Sequence, residues 1–199
     1  MSPQRNARLS VLSAAIGLAL FAAAAGSAAQ GASAPATGMK AGAGGVSVPA
    51  ADKAFAMKAA VGGMAEVELG KLAQQKGASD QVKQFGSRMV DDHSKANDEL
   101  KQVASSKGIA LPSELDAKHK AKLTKMQKLS GAQFDRAYMD DMVADHKQDV
   151  ADFKKESTSG KDSDLKSFAG KTLPTLEDHL KMAQTTDSAV KGAKATASH

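Results

Sequence analysis

The chain contains no cysteine, no tryptophan and a single tyrosine among its 199 residues. Without thiols it can form neither disulfides nor thiolate metal sites. With few aromatics and no dense block of lysine and arginine, it has neither a stacking platform nor a stripe that tracks phosphates, which argues against nucleic acid as a partner. No segment alternates strictly between polar and apolar residues, so strands are not expected. A nucleophile elbow, a phosphate loop and paired catalytic carboxylates are likewise missing, and nothing in the sequence supports an enzyme.

What is present begins with Arg5 and Arg8, an apolar run from Leu9 to Ala25 and small residues through Ala29. This pattern predicts a secretory signal peptide over residues 1–29, cleaved near Ala28 or Ala29. A membrane anchor would ask for about 20 apolar residues and firmer flanks. The mature chain is therefore expected without a transmembrane span, in the periplasm or secreted, with association with the outer membrane left open. Removing Arg5 and Arg8 takes the formal charge from +5 to about +3, carried by lysines scattered along helix faces. Residues 30–51 are almost entirely Ala, Gly, Ser, Pro and Val. Such a composition cannot bury enough apolar surface to offset chain entropy, and it reads as a disordered linker.

From Asp52 onward apolar residues recur at helical spacing. Helices are expected over Asp52–Lys76, Asp80–Ser106, Ser130–Ser157 and Ser163–Val190, followed by a disordered tail over 191–199. Gly77 with Ser79-Asp80, and the stretch from Ser157 to Asp162, are the stop and start signals of tight turns. The connection from Ile109 to Gly131 is too long for a turn. Its Leu115, His119, Leu123 and Met126 predict a short helix over 113–129 crossing one end of the bundle, with His119 as a packing residue. Pro174 is expected to kink or restart the last helix, with Thr172 as a local cap. The fold class is all-α: a ferritin-like four-helix bundle over 52–190, two helical hairpins joined by a long crossover.

The chain is organised around a phrase used twice. Arg88-Met89-Val90-Asp91-Asp92-His93 is echoed by Asp141-Met142-Val143-Ala144-Asp145-His146. Each copy sets its histidine on an apolar stripe: Val82, Gly86, Met89, His93, Leu100 and Ala104 in one helix, Asp135, Met139, Met142, His146, Val150 and Phe153 in another. The first helix aligns Glu66 with Phe55, Ala59, Gly62, Leu69 and Ala73; the last aligns His179 with Leu165, Phe168, Thr172, Leu176 and Ala183. At about 1.5 Å per residue, Glu66, His93, His146 and His179 can meet at mid-bundle, while Asp135 lies three turns from His146.

Burying such groups unpaired costs several kcal/mol, and two arrangements relieve it. In the first, one transition metal ion takes neutral imidazole nitrogens and a carboxylate oxygen, with zinc or copper favoured. In the second, a metal-free polar layer forms, with Glu66 against a histidinium and the other rings bonded to Asp135, Tyr138 or water. The candidate ligands are Glu66, His93, His146 and His179, and behind them Asp135, Met89 and Met142. Thioether next to imidazole suits cuprous ion, although methionine more often fills gaps between helices. Asp91, Asp92, Asp140, Asp141 and Asp145 read as solvated faces. Di-iron sites of this architecture carry Glu-x-x-His on two helices. Here Val90, Val143 and Leu176 stand three residues before the histidines, so the di-iron pattern is absent.

Several separated motifs resemble one known family. They are Glu66-Val67-Glu68-Leu69-Gly70-Lys71-Leu72-Ala73, Met89-Val90-Asp91-Asp92-His93, Ser130-Gly131 with Phe134-Asp135 and Tyr138, and Leu173-Pro174-Thr175-Leu176-Glu177-Asp178-His179-Leu180. In that order they are similar to the exported bacterial family called domain of unknown function 4142, often labelled an outer membrane protein. The resemblance implies a ferritin-like bundle outside the cytoplasm, soluble beside the membrane, because a spanning barrel needs many alternating segments. The phrase ending in Asp-His with a preceding methionine is also similar to a second family of exported helical proteins that includes copper binders. The function expected is metal handling or envelope stress by a helical bundle, or else a non-metal structural or interaction module of the envelope. A homo-oligomer and the identity of any envelope partner are left open.

Overall fold

The computed structural model describes residues 47–196, and within them the regular secondary structure is all helix, with no strand. The expected signal peptide and all but the last residues of the expected linker lie outside the described residues. Five helices follow in order: α1 (Ala50–Lys76), α2 (Asp80–Ser106), α3 (Ala117–Gln127), α4 (Gly131–Ser159) and α5 (Ser163–Thr196). α1 packs mainly on α2 and α4 mainly on α5, giving two helical hairpins, and α3 lies on the crossover between them. This is the all-α, four-helix architecture expected.

The boundaries follow local chemistry. α1 starts directly after Pro49, whose ring presets φ (−55° here) and whose missing N–H costs nothing at a helix start. The crossover helix is shorter than expected. Asp116 ends its N-terminus by accepting the His119 amide at 2.8 Å, which leaves Leu115 outside. α5 continues through Pro174 without a restart and on to Thr196, where a frayed tail was expected. Thr172 does not cap a new helix: its hydroxyl donates to the Phe168 carbonyl at 2.9 Å, within the running helix. Burial of Phe168 and Ala169 before the proline, and of Leu176 and His179 after it, holds both halves to the bundle.

Each hairpin turn is held by an aspartate from the opposite hairpin. Asp135, in the first turns of α4, accepts the amides of Ala78 and Ser79 at 3.0 and 2.8 Å, at the α1–α2 turn. Asp52, in the first turn of α1, accepts the amides of Lys161 and Asp162 at 2.8 and 2.6 Å, at the α4–α5 turn. Both carboxylates thus satisfy amides near a helix start that no helix can satisfy itself.

The core falls into two apolar groups. One gathers Ala56, Ala60, Leu100, Ala104, Phe153, Leu165, Phe168 and Leu176. The other gathers Leu69, Ala73, Phe85, Met89, Phe134, Tyr138, Met142 and Ala183. In each long helix one ionisable residue separates the two sets: Glu66, His93, His146 and His179. They form a polar layer across the middle. At the start of α1 the buried stripe is Asp52, Ala56, Ala60 and Gly63, one residue away from the Phe55, Ala59 and Gly62 expected. A helix so rich in alanine and glycine offers too little polarity contrast to fix its rotation from sequence.

Candidate metal centre

Glu66, His93, His146 and His179 are 3%, 6%, 0% and 1% exposed. The four helices bring them together as their stripes predicted. The three ring centroids lie 5.4 to 5.7 Å apart. One nitrogen from each ring can be chosen so that all three lie within 4.8 Å of one another.

One nitrogen of each ring has a polar partner. His146 Nδ1 donates to the Met142 carbonyl at 3.0 Å. His179 Nε2 lies 2.9 Å from Asp92 Oδ2, which also accepts from Arg88 Nε at 2.9 Å. His93 Nδ1 lies 2.9 Å from Glu66 Oε2. The Met142 carbonyl and the Asp92 carboxylate accept, so His146 Nδ1 and His179 Nε2 carry the proton and leave the opposite nitrogen with its lone pair, and against an ionised Glu66 His93 Nδ1 does the same. The opposite nitrogens, His93 Nε2, His146 Nε2 and His179 Nδ1, are buried and have no hydrogen-bond partner, and neither has Glu66 Oε1. Glu66 Oε1 and His146 Nε2 face each other at 3.5 Å, too far for a hydrogen bond.

Electrostatics agree with neutral rings. Burial pushes His93 down to about 4 against the pull of Asp149 and Asp92. It pushes His179 to about 4 against its hydrogen bond to Asp92. Burial also lowers His146, opposed by Glu66. The same burial raises Glu66 to about 7, opposed by His146. Asp92 moves the other way: its partial burial is outweighed by hydrogen bonds from His179 and Arg88, and it is held below the ordinary carboxylate range. At neutral pH the layer therefore presents uncharged imidazoles, the form in which a ring can ligate a metal.

The other candidates fall elsewhere. Asp135 is committed to the α1–α2 turn. Met89 and Met142 are fully buried in the apolar group beside the layer, and Met142 reaches His146 through its carbonyl oxygen. His119, expected to pack, is half-buried with Nδ1 2.7 Å from Asp116. Two residues went unrecognised. Asp92, expected on a solvated face, crosses from α2 to α5 to hold His179. Asp149, one turn beyond His146, borders the small cavity next to Glu66 and His93. Burial, then the charges of Glu66 and Asp145, keep its carboxyl well above the usual range. The spacing His146-x-x-Asp149 was the available signal.

The family model described as Domain of unknown function (DUF4142) matches residues 35–186. The chain belongs to this family. As a DUF4142 domain it shares its fold with a solved DUF305 fragment from Deinococcus radiodurans. That likeness has a TM-score of 0.61 at 10% identity and covers 72% of this chain and 97% of that one. No curated protein matches the chain. Among the described residues no helix of this DUF4142 chain is long and apolar enough to cross a membrane.

Proposed function

We propose that this DUF4142 domain holds one transition metal ion, zinc or copper, between its helices through His93, His146 and His179, with Glu66 Oε1 as the fourth donor. Two observations carry this reading: each of the three buried rings keeps one nitrogen without a hydrogen-bond partner, and one nitrogen from each ring can be chosen so that the three lie within 4.8 Å of one another. Metal-ligating histidines donate their other ring N–H to a carboxylate or carbonyl, as His146 and His179 do here. Three atoms within 4.8 Å of one another share a point no more than about 2.8 Å from each, against about 2.0–2.1 Å for a Zn–N bond, so closure needs shifts below about 1 Å. The chain lacks thiolates, and the residues three before its histidines are Val90, Val143 and Leu176. That favours a mononuclear imidazole site over di-iron chemistry. With the predicted leader, the site would serve metal handling in the envelope.

A second reading rests on Glu66, which faces both His93 and His146. In it the four residues form a metal-free polar layer that fixes helix register in a structural module. Metal analysis after equilibration with Zn2+ or Cu2+ separates the two. One equivalent in the wild type and loss in His93→Ala and His146→Ala supports the site; equal, negligible metal in all three leaves the polar layer. Bound metal at 100 times its dissociation constant should also stabilise by about 2.7 kcal/mol, and a chelator should remove that gain.

A further inference from the structure

Gly62 and Gly63 stand side by side within α1, although glycine is the poorest helix former after proline. Packing accounts for Gly63, because a Cβ there would lie 2.2 Å from Asn97 Oδ1. It does not account for Gly62, where a Cβ would meet nothing within 4 Å. Gly62 lines two neighbouring cavities. On the inner side is a small one bordered by Glu66, His93, Asn97 and Asp149, with about 20 Å³ for the centre of a water-sized sphere, room for a single water. On the outer side is a cleft of about 90 Å³ between α1, α4 and the start of α3, where Lys58, His119 and Asp145 stand. Gly62, Glu66 and Asp149 line both.

The charged groups of the cleft are mostly engaged: Lys58 with Asp152, His119 with Asp116, and Asp145 with Lys122. Asp149 has no such partner among the described residues. We propose that a divalent cation reaches the histidine layer through this cleft, passing over Gly62, with the Asp149 carboxyl oxygen receiving it on the way. A hydrated cation is wider than an inner cavity that fits one water. It must exchange water for protein oxygen before it passes, and Asp149 offers that oxygen from the wall shared by both spaces. Glu66, one helical turn beyond Gly62, is the next oxygen inward. A side chain at position 62 would narrow the passage, and its Cβ would touch none of the four ligands.

This inference rests on the metal reading above, and its test separates the two. Zn2+ uptake and its release to a chromophoric chelator are followed by stopped flow for wild type, Gly62→Leu and Asp149→Asn, with helix content checked by circular dichroism. Gly62→Leu should slow uptake and release together, by about tenfold or more, and leave the equilibrium affinity unchanged, as a gate does. Asp149→Asn should slow uptake. Unchanged rates in a folded Gly62→Leu protein that still binds one equivalent would overturn the route and leave the site standing. So would slowed uptake accompanied by a matching loss of affinity, which would mean a disturbed ligand set. A wild type that takes up no Zn2+ removes the site, and the route with it.

Discussion

Asp92 on α2 and His179 on α5 meet at 2.9 Å, and this contact determines which nitrogen of the His179 ring is turned toward the middle of the bundle. Arg88, one turn earlier on α2, holds the same carboxylate oxygen, so the ring is oriented by a chain of two charged groups that ends at the surface.

Asp92→Asn keeps the shape and removes the charge that fixes the His179 tautomer. Metal affinity should fall by about 10- to 100-fold, the usual cost of losing an outer partner of a ligating histidine. Helix content should not change. Asp91→Asn, at the exposed neighbouring position, should leave affinity at the wild-type value. Competition with a chelator of known affinity measures both.

Glu66 makes the metal-free protein sensitive to pH in a direction that can be isolated. Its carboxyl is raised from 4.5 to about 7 by burial. Its contribution to stability is therefore fully present below about 4.5 and is lost as pH rises through about 7. His93 and His179, lowered to about 4, run oppositely: their contribution is present above about 6.5 and lost as pH falls through about 4. Glu66→Gln removes the first effect and leaves His93 and His179 in place. In the presence of chelator its stability relative to wild type should rise by on the order of a few kcal/mol between pH 4.5 and pH 8. Urea unfolding at the two pH values gives the difference directly. An unchanged difference would show that the carboxyl ionises freely.

Asp135→Ala leaves the amides of Ala78 and Ser79 without their acceptor. The cost should be about 2–4 kcal/mol, since each partner is a charge-assisted bond at a partly buried turn. That corresponds to a fall in melting temperature of about 2–4 °C per kcal/mol for a chain of this size. Metal stoichiometry should stay at one, which distinguishes Asp135 from the four residues of the layer. Thermal unfolding and metal analysis of the same preparation test both halves.

The helices and the inward groups were legible because Met89, His93 and Leu100, or Leu176, His179 and Ala183, stand out by polarity at helical spacing. Glu66 was legible for the same reason, between Gly62 and Leu69. What stayed hidden depends on rotation by a single residue or on partners far away in sequence. Asp92 sits beside His93 at the edge of the stripe and reads as solvent-facing, while its partner lies 87 residues later. Asp135 lies on the same stripe as His146, and spacing alone cannot show that its oxygens belong to a turn 56 and 57 residues earlier. Pro174 can by local rule kink or restart a helix, and burial on both sides carries this one through without a restart.

The crossed aspartate contacts have a consequence for how the molecule assembles. Asp52 fastens the bend between α4 and α5, and Asp135 fastens the bend between α1 and α2, so neither half can complete its own corner. Split at the crossover, the two pieces should remain poorly ordered apart and recover structure when mixed. The helices that carry the inward rings then become ordered only in each other's company.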